Sequence, residues 1–124
     1  MWGLSHTPKC AVNKLVLKPK LVTIGDALEF SFNLSVEEEE PVKLRIEYAI
    51  DYLKANNKHS RKLFRITEHI YKANQVCQFR RKQSFRDLTT RKHYPGSHTL
   101  SIIINGIEMA SAGFTVVTDK AKKA

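Results

Sequence analysis

The 124-residue sequence is poor in cysteine and has no long apolar run. Its two cysteines are Cys10, in a predicted leader, and Cys77, in a predicted strand, and two such positions do not make a disulfide framework. We therefore expect both to be free thiols, as is usual in a reducing compartment. No stretch approaches the roughly 20 consecutive apolar residues that span a bilayer, and the N-terminus lacks the apolar segment of a signal peptide. These absences predict a cytoplasmic protein without membrane contact.

Motifs for catalysis and metal binding are absent from the sequence as well. The five histidines form no paired motif, and the two cysteines are too far apart for zinc-ligand spacing. The sequence also contains no glycine loop for phosphate, no nucleophile elbow and no pair of carboxylates placed in a cleft. The glutamate run at residues 37–40 is interpreted as a solvated turn. We expect no metal, no cofactor, no catalytic residue and no enzymatic activity from this chain alone.

Acidic residues are scarce in the middle of the chain. Residues 58–93 contain eleven Lys or Arg against two acids, Glu68 and Asp87, whereas the rest of the chain has ten of each kind. The middle segment therefore carries the whole formal net charge of +9. Charge distributed so unevenly indicates a polyanionic partner. The alternative is an ordinary solvated face, which basic clusters on small domains also form.

Apolar and polar residues alternate with a period of two along much of the chain, which predicts strands. The alternation is strict at residues 28–34, and it runs longer at residues 42–52. Asn56 and Asn57 favour a turn that leads into a return strand at residues 62–67. The sequence therefore predicts a β-hairpin in its first half.

The second half continues the pattern. A strand is predicted at residues 76–83, although its register is left open. A turn at residues 94–96 precedes an alternating strand that reaches residue 104. Asn105 and Gly106 form the two-residue signal of a type I′ hairpin, since both residues tolerate positive φ, and residues 107–117 run back. A first strand at residues 12–17 completes the set.

These short strands, their regular turns and the lack of an amphipathic helix predict an all-β fold: an immunoglobulin-like antiparallel β-sandwich of about seven strands. We expect one domain at residues 11–118, a flexible leader at 1–10 and a flexible tail at 119–124, in a monomer. Gly96, His98 and Leu100 have the spacing at which many such domains carry Gly, a corner Tyr and a Cys. We therefore expect His98 at the corner and Leu100 in place of the cysteine.

Two blocks of the sequence resemble the C-terminal immunoglobulin-like domain of AlkC-type alkylpurine DNA glycosylases. The blocks are residues 46–68 and 82–114, nearly half of the chain. Their order and spacing carry the resemblance, through Lys54-Ala55-Asn56, Ser60, Lys62 with Phe64, Ser84-Phe85, and Thr90 to Gly96 leading to Asn105-Gly106. Two departures are Asn57 where Gly is expected, and Ala73-Asn74-Gln75 in place of a Pro-Gly type of turn.

The resemblance implies a function for the chain. The family excises alkylated bases such as 3-methyladenine, and its catalytic carboxylate lies on an N-terminal helical-repeat domain that this sequence lacks. The implied role is that of an accessory domain that grips the DNA backbone near the lesion. The implied partners are double-stranded DNA containing alkylated bases and the helical-repeat domain of the same parent chain.

Residues for DNA contact are predicted in the hairpin tip, in the strand at 76–83 and in the segment after it. Arg and Lys can pair with phosphates, while small polar side chains at the tip can address base edges in a groove. The predicted contacts are Lys54, Asn56, Asn57, Lys58, His59, Arg61, Lys62, Arg80, Arg81, Lys82, Arg86, Arg91, Lys92 and His93. Tyr48, Tyr52 and His98 are interpreted as core residues. The alternative function is a protein-interaction module that pairs through an edge strand.

Overall fold

The computed structural model describes residues 9–85 and 93–118, which form two packed β-sheets. Eight strands lie in these residues: β1 (Cys10–Lys18), β2 (Leu21–Thr23), β3 (Ala27–Val36), β4 (Val42–Leu53), β5 (His59–Tyr71), β6 (Val76–Ser84), β7 (Gly96–Ile104) and β8 (Ile107–Val117). Within the described ranges there is no helix, and none that could cross a membrane. The predicted all-β fold is confirmed. Residues 1–8 of the predicted leader and the predicted tail lie outside the described residues, whereas Cys10, predicted to belong to the leader, is the first residue of β1 and pairs with Val36.

One sheet has three strands in the order β1-β3-β6, and the other has five in the order β2-β8-β7-β4-β5. Every pairing is antiparallel except that of β2, which runs parallel to the end of β8. The sequence prediction missed β2, because three residues are too short to display an alternation. The two edge strands that carry most of the basic segment are β5 and β6.

Strand β3 explains why the sheets pack. Its even-numbered residues from Leu28 to Val36 are all buried, while Glu29 and Ser31 alternate with them on the outer face. Each fully buried Leu or Phe contributes roughly 1.5–3 kcal/mol of transfer free energy. Strand β4 supplies the facing layer from the other sheet, including Tyr48 and Tyr52, which confirms the prediction that both are core residues.

The register of β6, left open by the sequence, follows from its pairing with β3. Cys77, Phe79 and Arg81 pair with the inward residues of β3, so they lie on the inner side of the small sheet. Their neighbours Arg80 and Lys82 consequently point to the outer face. Both cysteines are free, as predicted.

Asparagine provides the left-handed backbone at three turns. Asn105 and Gly106 have φ of 51° and 81° between the paired residues of β7 and β8, which confirms the predicted hairpin. Asn57 and Asn74 have φ of 66° and 59°. Asn tolerates this region better than other side-chain-bearing residues. The two departures from the expected glycine turns are therefore compatible with the fold.

His98 and Leu100 are both buried at the start of β7, as predicted. The His98 ring lies 3.1 Å from the carbonyl of Gly96 through Nδ1, and the Leu53 N–H donates to Nε2 at 3.4 Å. These contacts fix His98 Nε2 as the acceptor and Nδ1 as the donor. A histidine thus ties the end of β4 to the beginning of β7.

Candidate nucleic-acid interface

The two ends of the sandwich differ in charge. Strand β4 begins beside the glutamate run at residues 37–40 and ends at the hairpin loop of residues 54–58. Twelve extended residues span about 40 Å, so the acidic run lies at the far end from that loop. We call the end with the hairpin loop the basic end. The glutamates therefore do not neutralise the cations of the loop.

The hairpin loop is held by its own backbone. The Lys54 N–H donates to the Lys58 carbonyl at 2.8 Å, and the Asn57 N–H donates to the Lys54 carbonyl at 2.9 Å. The Asn56 side-chain oxygen accepts from the Lys58 N–H at 3.1 Å, so it is already engaged within the turn. All five loop residues are exposed. The loop thus presents the side chains of Lys54, Asn57 and Lys58 on a defined backbone.

Two histidines attach this hairpin to the body of the domain. His59 Nε2 lies 3.0 Å from the carbonyl of Ser97, and His98 accepts from the N–H of Leu53. Both contacts join the β4–β5 hairpin to the start of β7. The hairpin is therefore fixed relative to the five-stranded sheet, which reduces the entropy lost when it binds a partner.

His93 lies in the interior beneath the basic end. It is 5% exposed, and its ring centroid lies 5.6 Å from Tyr52 and 5.1 Å from Phe85. The structure therefore does not place His93 on the surface with the predicted contact residues. Arg86, Arg91 and Lys92 lie outside the described residues.

Arg61 is already paired. Its guanidinium donates to Asp51 at 2.9 and 3.2 Å and to Glu108 at 3.1 Å. The hydrogen bond to Asp51, followed by that to Glu108, raises the pKa of Arg61, and the same Arg61 bond lowers the pKa of Asp51. Arg61 thus lies on the outer face of the five-stranded sheet with its charge compensated. Lys62, its neighbour, is exposed and pairs in register with Ile50.

The three consecutive cations of β6 are split between two sides of the sheet. Arg81 lies on the inner side at the edge, with its guanidinium 5.9 Å from the Phe79 ring centroid and a 2.8 Å hydrogen bond to the Arg80 carbonyl. Arg80 and Lys82 lie on the outer face of the small sheet, and within residues 9–85 and 93–118 neither forms an ion pair. The sequence alone did not show that Arg81 lies on the inner side of the sheet and Arg80 and Lys82 on the outer face.

Protection of sheet edges is the competing explanation for several of these charges. Edge strands commonly carry Lys and Arg that hinder pairing with another chain. This reading accounts for Lys62 and Arg81, which belong to the edge strands β5 and β6. It does not account for Lys54 and Lys58, because they lie in a loop rather than on an edge.

The sequence analysis missed one cation on the outer face of the three-stranded sheet. Lys18 lies on β1, outside the basic segment of the sequence, and it pairs with Glu29 of β3, which in turn pairs with Lys82. The strand order β1-β3-β6 therefore brings Lys18 onto the same outer face as Arg80 and Lys82. No pattern in the sequence specified that order.

Residues 9–85 and 93–118 contain no group of three or more His, Cys, Asp or Glu side chains that could hold a metal ion. The basic end offers the exposed ammonium groups of Lys54 and Lys58, which can pair with phosphates. Among the described side chains it has the character of a binding surface for an anion.

Comparison with known proteins gives a consistent set of matches. Residues 11–118 match the family model of the C-terminal immunoglobulin-like domain of the uncharacterised protein YhaZ. YhaZ of Bacillus subtilis is 44% identical over 116 residues, which cover 94% of this chain and 32% of that protein. The Pseudomonas fluorescens alkylpurine DNA glycosylase AlkC, bound to DNA containing an abasic site analog, matches with a TM-score of 0.89. It is 33% identical, over 93% of this chain and 32% of that one.

The chain thus spans about a third of the length of these two relatives. A β-glucosidase of Listeria innocua also matches, with a TM-score of 0.70 and 14% identity over 88% of this chain and 16% of that chain. At that identity the likeness concerns the fold alone.

Proposed function

Because the chain belongs to the family of the YhaZ C-terminal immunoglobulin-like domain, we propose that it is the accessory DNA-binding domain of an alkylpurine DNA glycosylase. In this role it grips the DNA backbone near the lesion during base excision repair of alkylated bases such as 3-methyladenine. The partners are double-stranded DNA containing such bases and a helical-repeat domain of the same parent chain. The domain acts in the cytoplasm, as a monomer.

The observation that carries the proposal is the likeness to AlkC. At 33% identity and a TM-score of 0.89, the similarity extends beyond the sandwich architecture to the sequence placed on it. The AlkC structure contains DNA with an abasic site analog. The β-glucosidase, at 14% identity, offers only the fold, so it gives no support for sugar chemistry here.

The basic end suggests how the grip works. Lys54 and Lys58 are exposed on a rigid hairpin, and no ion pair to either is found in the part of the chain that the structure describes. Their ammonium groups can neutralise neighbouring phosphates and release counterions from the duplex. Asn57, between them, is small enough to approach base edges while the lysines hold the backbone. Phosphate contacts of this kind position a domain without strong sequence preference.

The test is the salt dependence of DNA binding by this chain. If about four phosphates are neutralised, log affinity falls with a slope of ~3.6 per decade of salt, or roughly 100-fold between 50 and 200 mM. A dissociation constant of ~10⁻⁴ to 10⁻⁶ M is expected for sequence-independent binding. Fluorescence anisotropy with a labelled duplex measures both quantities.

A pair of matched double variants tests whether DNA binds at the hairpin loop. Lys54→Glu with Lys58→Glu reverses two charges at the basic end. Lys9→Glu with Lys72→Glu makes the same change in net charge at the opposite, acidic end, where the glutamate run lies beside Lys9 and beside the turn between β5 and β6. The first pair should abolish measurable binding at 100 mM salt, while the second should weaken it only slightly. Equal losses of affinity in the two double variants would mean that binding depends only on the net charge of the domain, and the proposed interface would be wrong.

A second candidate function is supported by β5, which is a 13-residue edge strand. Two of its apolar side chains are exposed, Leu63 at 52% and Ile70 at 46%. An extended partner segment could pair with such an edge. If the folded wild-type domain shows no salt-dependent DNA binding at all, this interaction function replaces the first.

A further inference from the structure

The outer face of the three-stranded sheet carries three cations around a polar centre. Register places Val16, Ser31 and Arg80 in one row across β1, β3 and β6, and Lys18, Glu29 and Lys82 in the next. Neighbouring strands are about 4.8 Å apart, so the two outer strands flank Ser31 at roughly 10 Å from each other. Long Lys and Arg side chains from both strands can therefore meet above β3.

The centre of this face is a depression rather than a flat surface. It has a volume of about 140 Å³ and is lined by Val16, Lys18, Glu29, Phe30, Ser31 and Arg80. The volume is well above the roughly 10–15 Å³ that one water molecule needs. Ser31 is a small residue on the central strand, and larger residues on the flanking strands form the walls. The depression is therefore accessible to a small polar group from outside.

The charges around the depression leave a positive excess. Lys18 and Arg80 line it with two positive charges, and Glu29 lines it with one negative charge. Lys82 adds a third positive charge on the same face, next to Glu29 but outside the lining. No ion pair joins Glu29 to these cations within residues 9–85 and 93–118. Edge protection explains Arg80 and Lys82 on the edge strand β6, and it could explain Lys18 on the edge strand β1. It does not explain why Lys18 and Arg80, which belong to opposite edges of the sheet, line the same depression together with Ser31 of the central strand.

We propose that this depression, with Lys18, Ser31 and Arg80 as its donors, binds a phosphodiester group of nucleic acid. Arg80 can supply two parallel N–H donors to one phosphate, Lys18 a point charge, and Ser31 a hydroxyl hydrogen bond. Glu29 opposes the anion and limits its affinity. The inference rests on the proposed function in taking nucleic acid as the partner, and it adds a second contact surface on the other sheet from the hairpin loop.

Two probes test the site on the intact chain by nuclear magnetic resonance: inorganic phosphate and a short DNA duplex. The amides of Ser31 and of its strand neighbours should shift with either probe. Lys18→Ala should weaken duplex binding about fivefold and lower its salt slope by about 1, because one phosphate contact is lost. Lys72→Ala, which removes an exposed lysine at the acidic end, is the matched control and should leave both values within twofold.

Glu29→Gln is the more discriminating variant. It removes the negative charge that lines the depression, so we expect an increase in affinity. Binding of both probes should tighten about threefold or more, a result that loss of folding cannot imitate. If Lys18→Ala and Glu29→Gln leave binding unchanged while the hairpin double variant abolishes it, the inferred site is wrong and the proposed function stands. If DNA does not bind but inorganic phosphate shifts Ser31, the proposed function fails and the site is a phosphate site of another kind. Absence of any shift at Ser31 with both probes overturns the inference.

Discussion

The guanidinium of Arg61 on β5 donates a 3.1 Å hydrogen bond to Glu108 on β8, although β4 and β7 lie between these strands. The same guanidinium holds Asp51 on the adjacent strand. Its side chain therefore crosses the outer face of the five-stranded sheet. Small residues on the two intervening strands make room for it, since Ala49 and Ser101 are each 1% exposed.

This arrangement predicts that Arg61 supports the fold more than it binds DNA. Arg61→Gln should lower the free energy of unfolding by about 1 kcal/mol or less, as for other largely exposed ion pairs. It should leave DNA affinity and salt slope close to wild type, because the charge is compensated by Asp51 and Glu108. Urea unfolding and anisotropy measure the two effects. A large loss of DNA binding with unchanged stability would instead return Arg61 to the interface.

Acid should weaken the same network. The Arg61 hydrogen bond lowers the pKa of Asp51 in the folded state. Asp51 therefore contributes stability above its unfolded pKa of about 3.9, and this contribution is lost as the pH falls through the lower folded value. The wild type should lose more stability than Asp51→Asn between pH 5 and pH 2. Parallel unfolding curves for the two proteins over that range would contradict the prediction.

Gly96 is predicted to be intolerant of a side chain for two separable reasons. Its φ is 137°, and an added Cβ would collide with the Leu53 side chain. Gly96→Ala should cost about 1–3 kcal/mol of stability. Gly25 also has a positive φ, of 106°, but open space around it, so Gly25→Ala tests the backbone strain alone.

The collision is tested by a second change. In a Leu53→Ala background, Gly96→Ala should cost about as much as Gly25→Ala does in the wild type, because the obstructing atoms are gone. Thermal or urea unfolding of the variants gives the numbers. If the cost of Gly96→Ala stays the same in both backgrounds, contact with Leu53 is not the cause.

His98 should make the stability of the domain depend on pH near neutrality. Burial lowers the pKa of its imidazole below the ordinary value of 6.5, against a weaker opposing effect of its hydrogen bond to Gly96. The neutral form is also the one that can accept from the Leu53 N–H. The contribution of His98 is therefore complete above about pH 6.5 and is lost as the pH falls through the folded pKa.

Urea midpoints at pH 7.5 and pH 5 measure this dependence. His98→Phe should lower stability at pH 7.5 by about 1–3 kcal/mol, because the Leu53 N–H loses its acceptor. The difference in stability between pH 7.5 and pH 5 should also be smaller in this variant than in the wild type. His69→Gln, a substitution at an exposed histidine, is the control and should retain the wild-type difference.

The hydroxyl of Tyr48 joins the two sheets, and its removal should destabilise the domain. The phenol donates to Gln83 Oε1 at 2.5 Å, from β4 to β6, and burial raises the pKa of Tyr48 to about 12. Tyr48→Phe should cost about 1 kcal/mol. Absorbance titration at 295 nm should show a phenol near pH 12 that the variant lacks. Since the folded pKa is raised, the contribution of Tyr48 is present below about pH 10 and lost toward pH 12.

Much of the fold was predictable because burial in a sandwich repeats with a period of two. The alternation on β3 and β4 placed nearly every core residue of those strands on the correct side. The alternation also gave the correct faces on β7, but Ser101 and Ile103 on its outer face are buried along with the inner residues. Strand β7 is central, and the Arg61 side chain spans the strands on that face, which no local pattern specifies.

The candidate site was also only partly predictable from the sequence. The loop of Lys54 and Lys58 was predictable from its composition and from the turn that Asn57 completes. The pairing of Arg61 and the burial of His93 were not, because their partners are distant in sequence.

By itself, the amino-acid sequence determined the longer strands, the asparagine turns and the excess of positive charge, because each depends on neighbouring residues only. The tertiary structure alone decided which of those charges remain available. Strand order brought Glu108 to Arg61, and it placed Lys18 beside Arg80 across β3. Electrostatic interactions act through space over a few ångströms, so their outcome depends on which strands become neighbours.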